Sequence, residues 1–417
     1  MKYRVEGKNR ICGEITVQGS RNAAIPILAA SLLTKRSTLY NCPNISDIDN
    51  IIEILNYLGC NVIRTNESVH IVPDTLNNYV IKEKFVRQQL SSILLIGAML
   101  GRCGMVKFFY PGGDSIGKRP IDNHLNGLKE LGVEIYVEEE LISCYVKERL
   151  KGTTINLEFP SVGATQNIIL AACTAEGVTI INNTAKEPEI DDLIDFLNNA
   201  GAQIRRDGDS VIIVGVESLG QAEHKIITDR IAAITYLSAA AITGGEITIK
   251  NVCIEHIKVI IDAFIKMGCT ININKDSIYL AVKSKLLSIG TIKAEPYPGF
   301  PTDAQSFILS LCCVAIGSTY VIEEIFESRF QNVEYLIRMG AQIEFNPKVN
   351  SALIKGPSEL HGNDVACSDL RGGAALVIAA LAADGITIIN NIDFIKRGYQ
   401  DFCKNLNMLG AKIIELE

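Results

Sequence analysis

A chain of 417 residues is long enough for two or three domains with a sizeable core. Hydrophobic residues make up 47% and charged residues 21%, which excludes a disordered chain and suits a globular one. The net charge of -7 argues against non-specific binding to nucleic acid or an anionic membrane, although a local arginine cluster can still hold a small anion.

The N-terminus, Met1-Lys2-Tyr3-Arg4-Val5-Glu6, lacks the apolar core of a signal peptide. The longest apolar stretches, such as Phe307 to Ile316, are too short to span a membrane. A cytoplasmic location, with no membrane or nucleic-acid partner, is expected. The twelve cysteines contain no C-x-x-C pair and are expected to be buried free thiols in a reducing compartment. Five isolated histidines give no metal spacing, so neither a metal nor a cofactor is expected.

One signature recurs six times at intervals of about 70 residues: a helix ends in Leu, Met or Ala, then Gly, then a small residue, and a strand follows. The copies are Leu58-Gly59-Cys60, Leu131-Gly132-Val133, Ala200-Gly201-Ala202, Met267-Gly268-Cys269, Met339-Gly340-Ala341 and Leu409-Gly410-Ala411. Glycine past the last helical turn reads as a C-cap, because it takes the left-handed conformation cheaply.

In chain order, the strand Gly13-Glu14-Ile15-Thr16-Val17 leads into a first apolar helix, Ala23 to Leu33, opened by Ser20-Arg21-Asn22. The Gly-rich segment from Pro111 to Pro120 follows in the second unit. The strand Thr153 to Leu157 precedes the apolar helix Val162 to Ala175, opened at Ser161. A β-rich strand at Val178 to Asn182, an amphipathic helix at Ile190 to Ala200 and a strand at Val211 to Val214 complete that unit. Later apolar helices open at Thr228-Asp229-Arg230, Thr302-Asp303 and Ser368-Asp369-Leu370-Arg371. The last runs from Arg371 to Ala383 and is followed by the strand Ile386 to Asn390.

These units read as six βαβαββ-like repeats of an α/β protein. Helices that are apolar all round belong at a domain centre, with the amphipathic ones outside. Three units can close around three buried helices, so two domains are expected. Residues 1–20 plus 229–417 form the domain with both termini, and 21–228 form an inserted domain carrying the loop at 111–120. The N-terminal strand Gly13 to Val17 is therefore expected to complete the last repeat, which puts both termini in one domain.

The polar starts of the apolar helices read equally as N-caps or as anion sites, where converging helix N-termini focus positive potential. Arg21, Arg230 and Arg371 sit against the helix dipole and therefore call for an anionic partner. The segment from Pro111 to Pro120 resembles a Walker loop but has Arg119 where a hydroxyl is needed. It is either a surface turn or a lid.

Taken together, the repeat and seven motifs resemble the UDP-N-acetylglucosamine enolpyruvyl transferases over essentially the whole chain. The motifs are Arg21-Asn22-Ala23-Ala24, the Pro-Gly-Gly loop, Ser161-Val162-Gly163-Ala164-Thr165, Glu187-Pro188-Glu189-Ile190, Phe300-Pro301-Thr302-Asp303, Asp369-Leu370-Arg371 and Arg397-Gly398-Tyr399, with Arg119-Pro120 closing the loop. The resemblance implies a two-domain inside-out α/β barrel with its active site in the interdomain cleft. It implies transfer of the enolpyruvyl group of phosphoenolpyruvate to the 3-hydroxyl of UDP-N-acetylglucosamine, with release of phosphate. That is the first committed step of peptidoglycan precursor synthesis. The two small molecules would be its partners, and a monomer is expected.

By the same resemblance Asp303 is the base and Asp114 the proton carrier, with Arg21 and Arg397 also catalytic. Arg119 and Arg397 would hold the phosphate of phosphoenolpyruvate, with Arg371 near its carboxylate and Asp369 beside it. Asn22, Ser161, Val162, Gly163, Ile325 and Arg329 would contact the UDP-sugar, and Pro120, Asp122 and His124 would line the nucleotide pocket.

Four positions depart from the family pattern. Arg21 replaces a lysine, Asp114 the usual loop cysteine, Leu90 an arginine, and Phe394-Ile395-Lys396 a His-Ile-Asp run. They leave open a related transferase with another hydroxyl acceptor, or a UDP-sugar-binding paralogue with little activity.

Overall fold

The computed structural model describes every residue except Glu67, Ser115 and Arg119. The chain divides into two compact units, Met1–Gln18 with Ser115–Arg119 and Thr228–Glu417, and Gly19–Asp114 with Pro120–Ile227. Each unit contains three four-stranded sheets.

Every sheet is built alike. One edge strand runs parallel to its neighbour, and the other pairings are antiparallel. In the unit that holds both termini, Gly290–Ala294 pairs with Gly317–Glu323 and Asp364–Ala366 with Ile386–Asn390, both in parallel. Between the partners of each pair the chain forms a helix, Thr302–Val314 or Leu370–Ala382, because a parallel pair cannot be joined by a tight turn. In the other unit, Thr154–Asn156 and Val178–Asn182 flank the helix Val162–Ala172 in the same way.

The N-terminus supplies two strands. Lys2–Glu6 lies between Ile386–Asn390 and Lys412–Leu416, antiparallel to both, and completes the sheet of the last repeat. The strand expected in that place, which leads into the first apolar helix and spans Cys12–Thr16, instead joins Glu246–Lys250 in parallel. Its counterpart, Gln221–Lys225, joins Arg36–Tyr40 in the other unit. At each of these points the chain leaves one unit immediately after the strand, so the strand stays with the unit it leaves while the helix after it belongs to the next.

The helices Arg230–Ile242, Thr302–Val314 and Leu370–Ala382 fill the centre of the first unit. Every residue of Arg230–Ile242 is buried. Arg21–Ala30, Leu94–Cys103 and Val162–Ala172 do the same in the second unit. The outer helix Pro188–Asn199 buries Ile190, Leu193, Ile194 and Leu197 and exposes Asp191 and Asp195, as its apolar spacing predicts. Of the twelve cysteines, seven are buried, four half-buried and Cys253 exposed.

All six glycines of the repeat signature have positive φ, from 89° at Gly268 to 106° at Gly59. At Gly201, a Cβ would meet no atom within 4 Å, so only backbone strain opposes a side chain there. Gly201→Ala is expected to lower stability by about 1 kcal/mol, measured by urea unfolding. An unchanged midpoint would contradict the cap.

A second repeated device was not read from the sequence. Asn41, Asn183 and Asn251 each follow the strand after a core helix, with φ of 57°, 55° and 56°. Their side chains donate to the carbonyls of Ile226, Leu157 and Val17 at 2.9, 2.8 and 3.4 Å. Each bond ties down the chain just beyond an edge strand. Asparagine suits the place because it tolerates the left-handed conformation and carries an amide donor.

Candidate active site

Three core helices of the first unit start with charge: Arg230, Asp303 and Arg371 lie in their opening turns. Asp303 accepts from Arg329 Nη2 at Oδ1, 2.6 Å away, and from Arg371 Nε at Oδ2, 3.2 Å away. Arg329 and Arg371 are almost fully buried, whereas 26% of the Asp303 side chain is exposed. The carboxylate thus sits at the surface end of a buried cationic cluster.

Burial opposes charge on Asp303. Arg371, then Arg329 and Arg230, outweigh it and hold the carboxyl well below the usual carboxylate range. Burial also opposes charge on Arg371, but Asp303 prevails and keeps it protonated. The expectation that Arg371 needs an anion is met inside the protein.

Further contacts fix this cluster. Arg371 Nη1 donates to the Tyr399 hydroxyl at 3.2 Å, and its guanidinium lies 5.6 Å from the centre of the Tyr399 ring. That hydroxyl lies 2.8 Å from Thr235 Oγ1. Asp369 caps the helix Leu370–Ala382: its Oδ1 accepts from the backbone N–H groups of Arg371 and Gly372, both at 3.0 Å, and lies 3.7 Å from Arg329 Nη1. Burial raises the pKa of Glu323, which accepts from Thr302 Oγ1 at 2.9 Å and from the backbone N–H groups of Ile325 and Phe326 at 2.8 and 3.0 Å. Thr235 and Glu323 were not legible in the sequence: the partners that tie them to the cluster, Tyr399 and Thr302, are distant in the chain, and their own neighbourhoods look like ordinary helix and strand.

Arg397 is half-buried and follows the short helix Asp393–Lys396, two residues before Tyr399. Phe394 packs against the core of the unit, and Lys396 pairs with Glu415. Arg119 lies outside the described residues. Beside it in the loop, the Ile116 carbonyl accepts from the Ser328 N–H at 2.9 Å.

In the second unit, Arg21 is engaged by Asp47, with Nε 2.7 Å from Oδ2, and its Nη1 donates to Asn22 Oδ1 at 2.9 Å. Asp47 is the anion that Arg21 called for. Ser161 caps the helix that contains Val162 and Gly163: its Oγ accepts from the Ala164 N–H at 3.3 Å. Pro120 and Asp122 are exposed, and Asp114 and Ser161 to Gly163 are half-buried.

His124 is only 6% exposed, and burial pushes its pKa down to about 4, so the ring is neutral at pH 7. Asn167 Nδ2 donates to its Nδ1 at 3.1 Å, which leaves the proton on Nε2, beside Gly163. A ring so placed buttresses the start of the helix Val162–Ala172. Leu90 begins a single 3-10 turn and packs against the core, while Arg87, one turn earlier, pairs with Glu83 and Glu140.

A carboxylate ringed by guanidiniums at converging helix starts suits a reaction on an anion. A family model described as EPSP synthase (3-phosphoshikimate 1-carboxyvinyltransferase) matches residues 5–406. The chain belongs to this family. Within it, the chain is 42% identical over 417 residues to UDP-N-acetylglucosamine 1-carboxyvinyltransferase 2 of Caldanaerobacter subterraneus, covering 100% of this chain and 99% of that one. It is 45% identical over 419 residues to UDP-N-acetylglucosamine 1-carboxyvinyltransferase 1 of Symbiobacterium thermophilum, covering 99% and 94%. The enolpyruvyl transferase NikO from Streptomyces tendae superposes with a TM-score of 0.90 at 23% identity, covering 99% and 98% of the two chains. EPSP synthase from Acinetobacter baumannii gives 0.79 at 18%, covering 100% of each. The two structural likenesses show the fold alone, that of the enolpyruvyl transferases.

Proposed function

We propose that the protein transfers the enolpyruvyl group of phosphoenolpyruvate to the 3-hydroxyl of UDP-N-acetylglucosamine and releases phosphate, an early step in peptidoglycan synthesis. Full-length identity above 40% with relatives named for this transfer carries the reading. The cluster around Asp303 is the chemistry the transfer needs.

The reaction adds the sugar oxygen to C2 of phosphoenolpyruvate and a proton to its methylene carbon. Loss of phosphate and of a proton from the new methyl group then restores the double bond. Asp303 takes the proton of the sugar hydroxyl, and Asp114 delivers the proton to the methylene carbon. Both Asp303 oxygens accept from guanidiniums, which makes the carboxylate a weak base as long as both contacts last. The anionic groups of phosphoenolpyruvate give Arg371 another partner, and a released Asp303 is a stronger base. Arg119 and Arg397 bind the phosphate, and Arg371 the carboxylate, with Asp369 fixing Arg371 at its helix start.

Arg21, held by Asp47, is a further catalytic cation. Asn22, Ser161, Val162, Gly163, Ile325 and Arg329 hold the UDP-sugar, and Pro120, Asp122 and His124 border the nucleotide, with His124 also supporting Gly163. No helix among the described residues is long and apolar enough to cross a membrane. A cytoplasmic monomer that needs no cofactor or metal fits substrates of this kind.

Phosphate should appear only when both substrates are present. Its absence at high enzyme concentration would overturn the reading. Asp114 cannot be alkylated as a thiolate can, so prolonged incubation with the epoxide fosfomycin should leave activity unchanged. The variant Asp114→Cys should become sensitive, and inactivation of the parent would contradict the role given to Asp114.

The apolar packing of Leu90 and Phe394 favours a second reading, a related transferase with a different hydroxyl acceptor. A thermal-shift panel of nucleotides separates the two: a larger shift with any ligand than with UDP-N-acetylglucosamine supports the second.

A further inference from the structure

Next to the Asp303 cluster lies a buried amide with no evident task. Asn332 has no exposed surface, and neither its Nδ2 nor its Oδ1 has a hydrogen-bond partner among the described residues. It precedes the helix Val333–Arg338 without capping it. Asp369 is 1% exposed; its Oδ1 accepts two backbone N–H groups, but its Oδ2 likewise has no hydrogen-bond partner there. Buried polar atoms are nearly always paired, and an unpaired buried carboxylate oxygen is among the costliest to leave so.

The two residues lean over the same glycine. A Cβ on Gly372 would lie 2.5 Å from Asp369 Oδ2 and 3.6 Å from the Asn332 Cβ, so that oxygen and that carbon are at most about 6 Å apart. An asparagine amide reaches an acceptor at that range directly or through one water. Glycine is needed between them because a side chain at residue 372 would collide with the carboxylate.

We propose that Asn332 is a positioning residue of the active site: its amide stands within reach of Asp369 Oδ2, directly or through one water, and by donating to it fixes Asp369, and through it Arg329 and Asp303. The path is short. Asp369 Oδ1 lies 3.7 Å from Arg329 Nη1, and Arg329 Nη2 lies 2.6 Å from Asp303 Oδ1. A carboxylate held at one oxygen alone can swing about its Cβ–Cγ bond, whereas one held at both sets the guanidinium beside it. Asn332 touches no reacting atom, so its effect passes entirely through Asp369. The inference rests on the role given to Asp303 in the transfer.

The charge facing Asp369 is Arg329, which in turn pairs with Asp303, itself paired with Arg371. The Cys367 thiol is also near, and its pKa is raised first by burial and then by Asp369. On the helix Val333–Arg338, Glu334 and Arg338 pair with each other at the surface.

The decisive variant is Asn332→Asp, which keeps the shape and turns a donor into a second carboxylate. At pH 8 two carboxylates face each other, and kcat should fall roughly tenfold to a hundredfold, with a smaller change in the KM for UDP-N-acetylglucosamine. At pH 5.5 a shared proton restores the donor, and the variant should recover to within about threefold of the parent. Asn332→Leu lacks that proton and should show the loss at both pH values.

A second readout needs no turnover. One carboxyl of the new pair has a raised pKa in the folded state, so stability is lost as pH rises. The deficit in Tm of Asn332→Asp against the parent should therefore grow from pH 5.5 to pH 8. A parent that releases no phosphate while this deficit appears would overturn the transferase reading and leave the Asn332–Asp369 contact standing. A deficit independent of pH, or a variant as active as the parent at pH 8, would overturn the proposal.

Discussion

Replacing Asp303 with Asn should reduce phosphate release by roughly 10²- to 10⁴-fold, the range in which a positioned acid or base contributes. The substitution keeps the shape and removes both the base and the charge that Arg329 and Arg371 share. Steady-state kinetics across pH should show the loss in kcat, with binding of UDP-N-acetylglucosamine by calorimetry largely retained. A variant within tenfold of the parent would remove Asp303 from the chemistry.

The same variant tests the electrostatics. The arginines hold the folded-state pKa of Asp303 below its unfolded value, about 4 for an ordinary aspartate. Stability from this carboxylate is therefore fully present above that value and is lost as pH falls through the lower folded value. The parent should be the more stable protein at pH 7, and the gap between parent and Asp303→Asn should narrow below about pH 4. A gap that widens in acid would contradict the assignment.

The second large effect is expected on folding. Arg329 is 2% exposed and faces both Asp303 and Asp369. Arg329→Leu leaves Asp303 with Arg371 as its remaining ion-pair partner and the buried Asp369 without its facing cation, and should destabilise the protein by about 3–5 kcal/mol, as breaking a buried pair from one side does. Urea unfolding measures this directly. Arg329→Lys keeps a charge without the planar fork and should fall between the parent and the Leu variant. Equal stability of all three would mean that the cluster contributes nothing to the fold.

The repeat was legible because each unit announces itself with a local signal, glycine after a helix, whose backbone need does not depend on its surroundings. The core helices were legible for a related reason: a helix apolar on every side can only be buried. Their ends drifted by a few residues. The first, expected from Ala23 to Leu33, is an α-helix over Arg21–Ala30 that tightens into a 3-10 turn at Ser31–Leu33.

The destination of the strand Cys12–Thr16 was not legible. Its partner, Glu246–Lys250, lies more than two hundred residues away, and a half-exposed strand of five residues does not specify one edge over another. In the site, motifs marked Asp303, Asp369 and Arg371, but their mutual contacts depend on how three helix starts converge. Arg21 illustrates the limit. Its position against the helix dipole correctly called for an anion, yet nothing local distinguished Asp47 on the next helix from a bound substrate. Asn332 was invisible for the opposite reason: before a short helix, an asparagine reads as an ordinary cap.

The central claim is that this chain forms an enolpyruvyl ether of a UDP-sugar. Proton NMR of UDP-N-acetylglucosamine incubated with phosphoenolpyruvate and the enzyme tests it most directly. A pair of vinylic signals on a new sugar ether, growing in step with free phosphate, is the predicted result. Phosphate without the vinylic pair, or an unchanged sugar after long incubation at high enzyme concentration, would contradict it.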